Sequence, residues 1–180
     1  MNVVEPIRDK RRIKRVERIL AKRNQRDLLL FVMGTNTGLR VSDILALNVE
    51  DVRDKDFIDI IEKKTGKRKR FPINEKIKTI IQGYTINKKL DEPLFKTRYR
   101  NRMERTYAYK LVRYACHKVG IQGQIGTHTM RKTFGYHHYH KFKDVALLQK
   151  IFNHYSPSTT LRYIGIDQEE INNSYLRFIL

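Results

Sequence analysis

The sequence is poor in several things, and each shortage removes a class of protein. Cysteine occurs once, as Cys116. No disulfide framework is therefore available, zinc-finger ligand spacing is excluded, and a reducing cytoplasm is expected. No apolar run approaches the roughly 20 residues of a membrane span. The N-terminal MNVVEPIRDKRR has no apolar signal core. A GxxxxGK(S/T) phosphate loop is missing, so ATP is not expected. Neither an internal repeat nor a low-complexity linker interrupts the chain. Acidic residues are scarce: 19 Asp and Glu stand against 38 Lys and Arg, a formal charge of +19. Such an excess repels itself unless it meets a polyanion, and the commonest is nucleic acid. A ribosome-like or membrane-surface basic protein is the plainer alternative.

What is present suits one domain with at most a small appendage. The chain has 180 residues, and 40% are hydrophobic, enough for a real core. Ile13, Val16, Ile19 and Leu20 predict an amphipathic helix over 10–23 with Asp9 as its N-cap. A buried helix from Arg26 to Met33 is expected to stop at the breaker-rich stretch Gly34 to Gly38, and a short one to follow over Val41 to Leu47. The period then changes. Phe57, Ile58, Ile60 and Ile61 read as a strand, Lys64-Thr65-Gly66-Lys67 as a turn, and Lys69 to Ile73 as the return strand. Asn74 caps a helix running to about Asn87. Four more helices are expected: Glu104 to Val119 closed by Gly120, one opened by Gly126-Thr127 and running to about His140, one capped by Asp144, and a short one capped by Ser158 that carries Tyr163. A capping box at Asp167 and Glu170 predicts a last helix with Ile171, Tyr175, Phe178 and Ile179 on an apolar face. The fold class is mainly α (α+β) with a small antiparallel hairpin.

The positive charge is clustered. Residues 8–26 hold ten Lys or Arg, and 63–70 hold six in eight positions. A third run has Lys96, Arg98, Arg100, Arg102 and Arg105. Three basic runs separated by ordered elements point to a surface that tracks phosphates, with Lys63, Lys67, Arg68, Lys69, Arg98, Arg100 and Arg102 as candidate DNA contacts.

Four segments carry chemistry when taken together. They are Thr37-Gly38-Leu39-Arg40-Val41-Ser42-Asp43, the turn Lys64-Thr65-Gly66-Lys67, Gly126-Thr127-His128-Thr129-Met130-Arg131, and Asn153-His154-Tyr155-Ser156 with Arg162-Tyr163. Their order and spacing resemble the catalytic domain of the tyrosine recombinases, the phage-integrase family, over about Pro6 to Tyr163. The resemblance implies that Tyr163 is the nucleophile and that Arg40 and Arg131 clamp the scissile phosphate. It makes Lys64 the general acid toward the leaving 5′ oxygen, with Lys63 and Lys67 as alternatives. It further makes His128 a general acid/base, His154 a hydrogen-bond donor to the phosphate, and Asp43 a support for the first arginine. In-line attack on an anionic diester builds charge that fixed guanidinium forks suit. A tyrosine of reference pKa ~10 needs a nearby base or cationic field. A covalent 3′-phosphotyrosine stores the bond energy, so no cofactor, ATP or metal is expected.

Two departures from the family pattern stand out. Asn153 occupies the place before the second histidine where glycine is usual, and asparagine tolerates the same left-handed turn. Lys132 follows Arg131 where many members have histidine. His137, His138 and His140 invite a metal reading, but no cysteine or nearby paired carboxylate completes a shell. Cys116 lies in an apolar stretch and reads as core.

The expected organisation is a DNA breaking-and-rejoining domain over 1–166 and a helical tail over 167–180 that docks either on its own core or in trans on a neighbouring protomer. The partners implied are double-stranded DNA, three more copies in a homo-tetramer on DNA (monomer or weak oligomer when free), and an accessory DNA-bending protein, with no membrane. The place implied is the nucleoid-associated cytoplasm of a bacterium or phage host. A complete short recombinase, an excised domain, an inactive DNA-binding remnant and a DNA-relaxing topoisomerase of the same chemistry all fit these features.

Overall fold

In the computed structural model, residues 4–179 are described, with backbone alone for 167–171. The chain runs α1 (Lys10–Arg23), α2 (Gln25–Thr37), α3 (Val41–Ala46), β1 (Phe57–Ile61), β2 (Arg68–Pro72), α4 (Glu75–Thr85), α5 (Arg105–Lys118), α6 (Thr127–Phe142), α7 (Val145–Phe152), α8 (Pro157–Ile164) and α9 (Asp167–Arg177). The fold is mainly helical with one two-stranded antiparallel sheet, as the patterning predicts.

Polar caps start most of these helices. Asp9 accepts from the Arg11 amide, Asn74 from Ile77 and Asp144 from Leu147. Asn24 ends α1 and also begins α2, accepting from the Asp27 amide at 2.8 Å. Gly120, at φ 73, closes α5 with left-handed backbone.

Two expectations need correction. The α2 helix does not stop at Gly34 but runs to Thr37 and closes on Gly38 in the left-handed region. Gly34 sits inside the helix because Met130 of α6 crosses directly over it; a Cβ there would lie 2.7 Å from the sulfur. Tertiary packing overrides the breaker signal. The cap of α8 is Ser156, not Ser158, with Pro157 in the first turn where a missing amide costs nothing. The side chains of Asp167, Glu170 and Ile171 lie outside the described residues.

Packing is organised around α2, whose Leu29, Leu30, Phe31, Val32 and Met33 are all buried and which contacts α1, α4 and α6. A second, smaller cluster of Leu148, Phe152, Ile164 and Ile166 lies between α6, α7 and α8. There α6 approaches α8 at Gly135, where a Cβ would meet Ile164 at 2.6 Å. In the hairpin, Ile60 pairs with Lys69 and Ile58 with Phe71. The pleat therefore puts Lys69 on the face of buried Ile58. Among the described residues no helix is long and apolar enough to cross a membrane.

Candidate active site

The extended residue Arg40 joins α2 to α3 between buried Leu39 and Val41. Its Nη1 lies 3.0 Å from Oε1 of Glu62, a carboxylate that is 2% exposed. The contact is not aligned as a hydrogen bond, so it is chiefly coulombic. Burial pushes the Glu62 carboxyl up, but the Thr65 hydroxyl, donating at 2.8 Å, and the Arg40 charge outweigh it and hold the group below the usual carboxylate range. Asp43 is buried, and its Oδ1 accepts from the Lys63 amide at 3.1 Å. Two buried acids thus hold the base of the hairpin against the loop carrying Arg40, and the exposed Lys64 sits at the turn.

The α6 helix supplies His128 and Arg131, three positions apart and so on one face. Arg131, 3% exposed, donates from Nη1 to Gly38 O at 2.5 Å and from Nη2 to Phe152 O at 2.8 Å. Its guanidinium also stacks 4.3 Å above the Phe152 ring. His128 Nδ1 lies 3.1 Å from the Tyr163 hydroxyl. His154 follows α7, holds Thr160 Oγ1 at 3.1 Å, and stacks edge-on against Tyr163 with centroids 5.0 Å apart. Lys132 Nζ lies 5.0 Å from the centre of the Tyr163 ring.

Electrostatics follow from this crowding of cations. Burial, then Arg131, Arg40 and Lys64, push His154 down to about 4. Burial and the surrounding Arg131, Arg105, Lys132 and Arg40 also lower His128. Both imidazoles are therefore neutral near pH 7. Burial raises the Tyr163 phenol, while Arg131 and Arg40 pull the other way. Arg40, Ser42, Lys63, Lys64, Arg105, Thr127, His128 and Arg131 contribute to the lining of a pocket of about 420 Å³. A larger cleft of about 570 Å³, around Arg26, Tyr99 and Tyr107, contains none of these catalytic candidates.

The structure thus brings Arg40, Lys64, His128, Arg131, His154 and Tyr163 together. The DNA-contact candidates divide. Lys63, Lys67, Arg68, Arg98 and Arg100 are exposed. Arg102 instead turns inward, donating to the carbonyls of Leu45, Ala46 and Leu47 at the end of α3 and to Asn48 Oδ1. Lys69 also turns inward, donating to Ile151 O at 2.7 Å; burial and the nearby Arg131 push its ammonium down to about 8. The motif reading does not select Glu62 or Arg105. Glu62 looks like any strand-end acid, while Arg105 belongs to a recognised basic run.

Among the described residues no three His, Cys, Asp or Glu converge as a metal cluster. His137 Nε2 contacts Ile7 O at 2.9 Å, and His138 stacks between Phe134 and Phe142. Cys116 is buried, which pushes its thiol up to about 12.

The sequence pattern of the phage integrase family matches residues 11–170. A probable integrase/recombinase, YoeC of Bacillus subtilis, is 46% identical over 179 residues, covering 99% of this chain and 98% of the relative. The tyrosine recombinase XerC of Thermodesulfovibrio yellowstonii is 29% identical over 161 residues, covering 84% of this chain but 54% of XerC. Among solved structures, the XerA recombinase superposes with a TM-score of 0.77 at 22% identity, covering 98% of this chain and 65% of XerA, which shows a shared fold. With a family match across most of its length and a near full-length relative at this identity, the chain belongs to the phage integrase family, the tyrosine recombinases.

Proposed function

We propose that the protein is a site-specific DNA recombinase that cleaves and rejoins strands through a 3′-phosphotyrosine at Tyr163. The observation that carries this reading is the 3.1 Å contact of Tyr163 with His128 beside the Arg131 guanidinium. In the cleavage step the Tyr163 oxygen bonds to phosphorus as the P–O5′ bond breaks. The phenolic proton passes to neutral His128, with Nδ1 as acceptor, and the leaving 5′ oxygen takes a proton from Lys64. Arg40, Arg131 and His154 hold the non-bridging oxygens, each such donor contributing about 10²–10³ in rate. Glu62 and Asp43 keep the Arg40 side in place. Rejoining reverses the same transfers, so the bond energy is retained and ATP is not consumed.

Residues 1–166 form the catalytic unit in this reading, and 167–180 serve as a coupling tail. Tyr175, Leu176, Phe178 and Ile179 are strongly exposed. That favours docking in trans on a neighbouring copy, within a homo-tetramer on double-stranded DNA, over docking on the chain's own core.

The test is covalent adduct formation on a nicked suicide duplex built from the inverted repeats flanking the gene. The wild-type protein is expected to form the adduct and Tyr163→Phe to form none. An adduct with Tyr163→Phe would reassign the nucleophile. DNA binding with steep salt dependence but no adduct from wild type would make the chain a binding module.

A further inference from the structure

The C-terminal end of α7 is a meeting point for pieces of the site that are far apart in sequence. An α-helix leaves its last four carbonyls without partners inside the helix; in α7 these belong to Gln149, Lys150, Ile151 and Phe152. The turn at Asn153, with φ 54, takes care of two: the Asn153 amide donates to Lys150 O at 3.1 Å and the His154 amide to Gln149 O at 3.1 Å. The other two are taken by side chains from elsewhere. Lys69 Nζ donates to Ile151 O at 2.7 Å, and Arg131 Nη2 donates to Phe152 O at 2.8 Å. A third tie runs from Lys67 Nζ to Asn153 Oδ1 at 3.1 Å. One helix end thereby holds the hairpin and Arg131 and leads directly into His154.

The arrangement has a mechanical consequence. Two-stranded ribbons are marginal on their own. Among the described residues the ammonium of Lys64 has no hydrogen-bond partner, so its aim depends on what fixes the ribbon. The pleat already turns Lys69 toward the body of the protein beside Phe71, and the negative end of the α7 dipole favours a cation there. Glycine at position 153 would close the same turn but offer Lys67 no side-chain oxygen.

We propose that Lys69 is a positioning residue: by capping α7 it locks the basic hairpin in register with Arg131 and His154 and so aims Lys64 at the leaving oxygen, with Lys67–Asn153 as a second, lesser tie. The proposal rests on the reading above in which Lys64 supplies the proton.

The experiment compares cleavage of two nicked suicide duplexes by the full chain, one ordinary and one with sulfur at the bridging 5′ position, whose leaving group needs no proton. Lys69→Met is expected to slow the ordinary substrate about tenfold to hundredfold, as a misplaced catalytic group does. It should leave the sulfur substrate within about twofold of wild type. Lys69→Arg, which keeps a cationic donor, should recover most of the loss, and Asn153→Gly should shift the same ratio by a few-fold. Equal slowing on both substrates, or no slowing on either, overturns the latch. Thermal melting accompanies each assay, and if Lys69→Met does not fold, Asn153→Gly, a change at an exposed turn, carries the same test. Lys64→Ala separates the two readings. If sulfur rescues Lys64→Ala but not Lys69→Met, the latch alone is wrong. If sulfur fails to rescue Lys64→Ala, the proton donor is wrong and the latch falls with it.

Discussion

The two hydrophobic clusters differ in size and in what they carry. The larger one, spread over α1 to α5 and the hairpin, supports the loop bearing Arg40 and buries Val41 and Ile44 on either side of Asp43. The smaller one, centred on Leu148, Phe152, Ile164 and Ile166, carries Tyr163 at its margin and meets the His154 ring through Phe152. The loop bearing Arg40 is thus built on a deep core, and the segment bearing His154 and Tyr163 on a shallow one. Local stability follows buried apolar contacts, so the segment bearing His154 and Tyr163 is expected to open before the loop bearing Arg40. Arg131 is the seam, bonded to Gly38 on one side and Phe152 on the other.

Cutting that seam should have the largest effect. Arg131→Ala is expected to lower the rate of adduct formation by about 10²–10³ or more while leaving most DNA affinity. Unchanged activity would remove Arg131 from the phosphate clamp. Arg131→Lys should recover little, because one ammonium does not reproduce two separate guanidinium bonds.

The clusters themselves can be set against each other. Leu29→Ala and Ile164→Ala should each cost about 2–5 kcal/mol at their own site. Hydrogen exchange should show protection falling throughout the molecule for Leu29→Ala, but mainly in α7 and α8 for Ile164→Ala. Cleavage should slow more for Ile164→Ala than its loss of global stability accounts for. Uniform loss of protection in both variants would mean a single cooperative core.

A finer contrast lies within the third basic run. Arg100, exposed at a tight turn with φ 65, is expected to touch phosphate, so Arg100→Ala should reduce the salt-dependence slope by about one unit. Arg102→Ala should leave the slope unchanged and instead lower stability by about 1–3 kcal/mol, because the α3 carbonyls lose their donor. Equal slope changes would return Arg102 to the DNA surface.

The smallest effect concerns protons. Burial and the nearby Arg131, Arg40 and Lys64 push His154 down to about 4 in the folded chain, against an ordinary 6.5. Between those values the unfolded chain binds a proton that the native chain does not, so stability falls as pH drops through this window and the contribution vanishes above it. His154→Gln should flatten the pH dependence of unfolding there. Inorganic phosphate bound among the same cations should raise the His154 titration seen by NMR, and no change would place His154 away from the anion.

Much of this was legible in residue pattern. The caps Asp9, Asn74 and Asp144 and the hairpin follow from local chemistry, while the convergence of Arg40, His128, Arg131, His154 and Tyr163 is what the resemblance to the tyrosine recombinases implies. The continuation of α2 through Gly34 was not, because the reason lies across the molecule in Met130. Glu62 was equally hidden: nothing nearby in sequence distinguishes a buried partner of Arg40 from a solvated acid. Lys69 was readable in principle, since strand alternation places it beside Phe71, but the density of positive charge in residues 63–70 masks that alternation.

The Arg40–Glu62 pair has a bearing on turnover. A long side chain recruited from solvent would have to be immobilised each time a strand arrived. Here the buried carboxylate restrains Arg40 beforehand, so that loss of freedom occurs once, as the chain folds, and in the proposed mechanism successive substrates would meet a guanidinium already at rest.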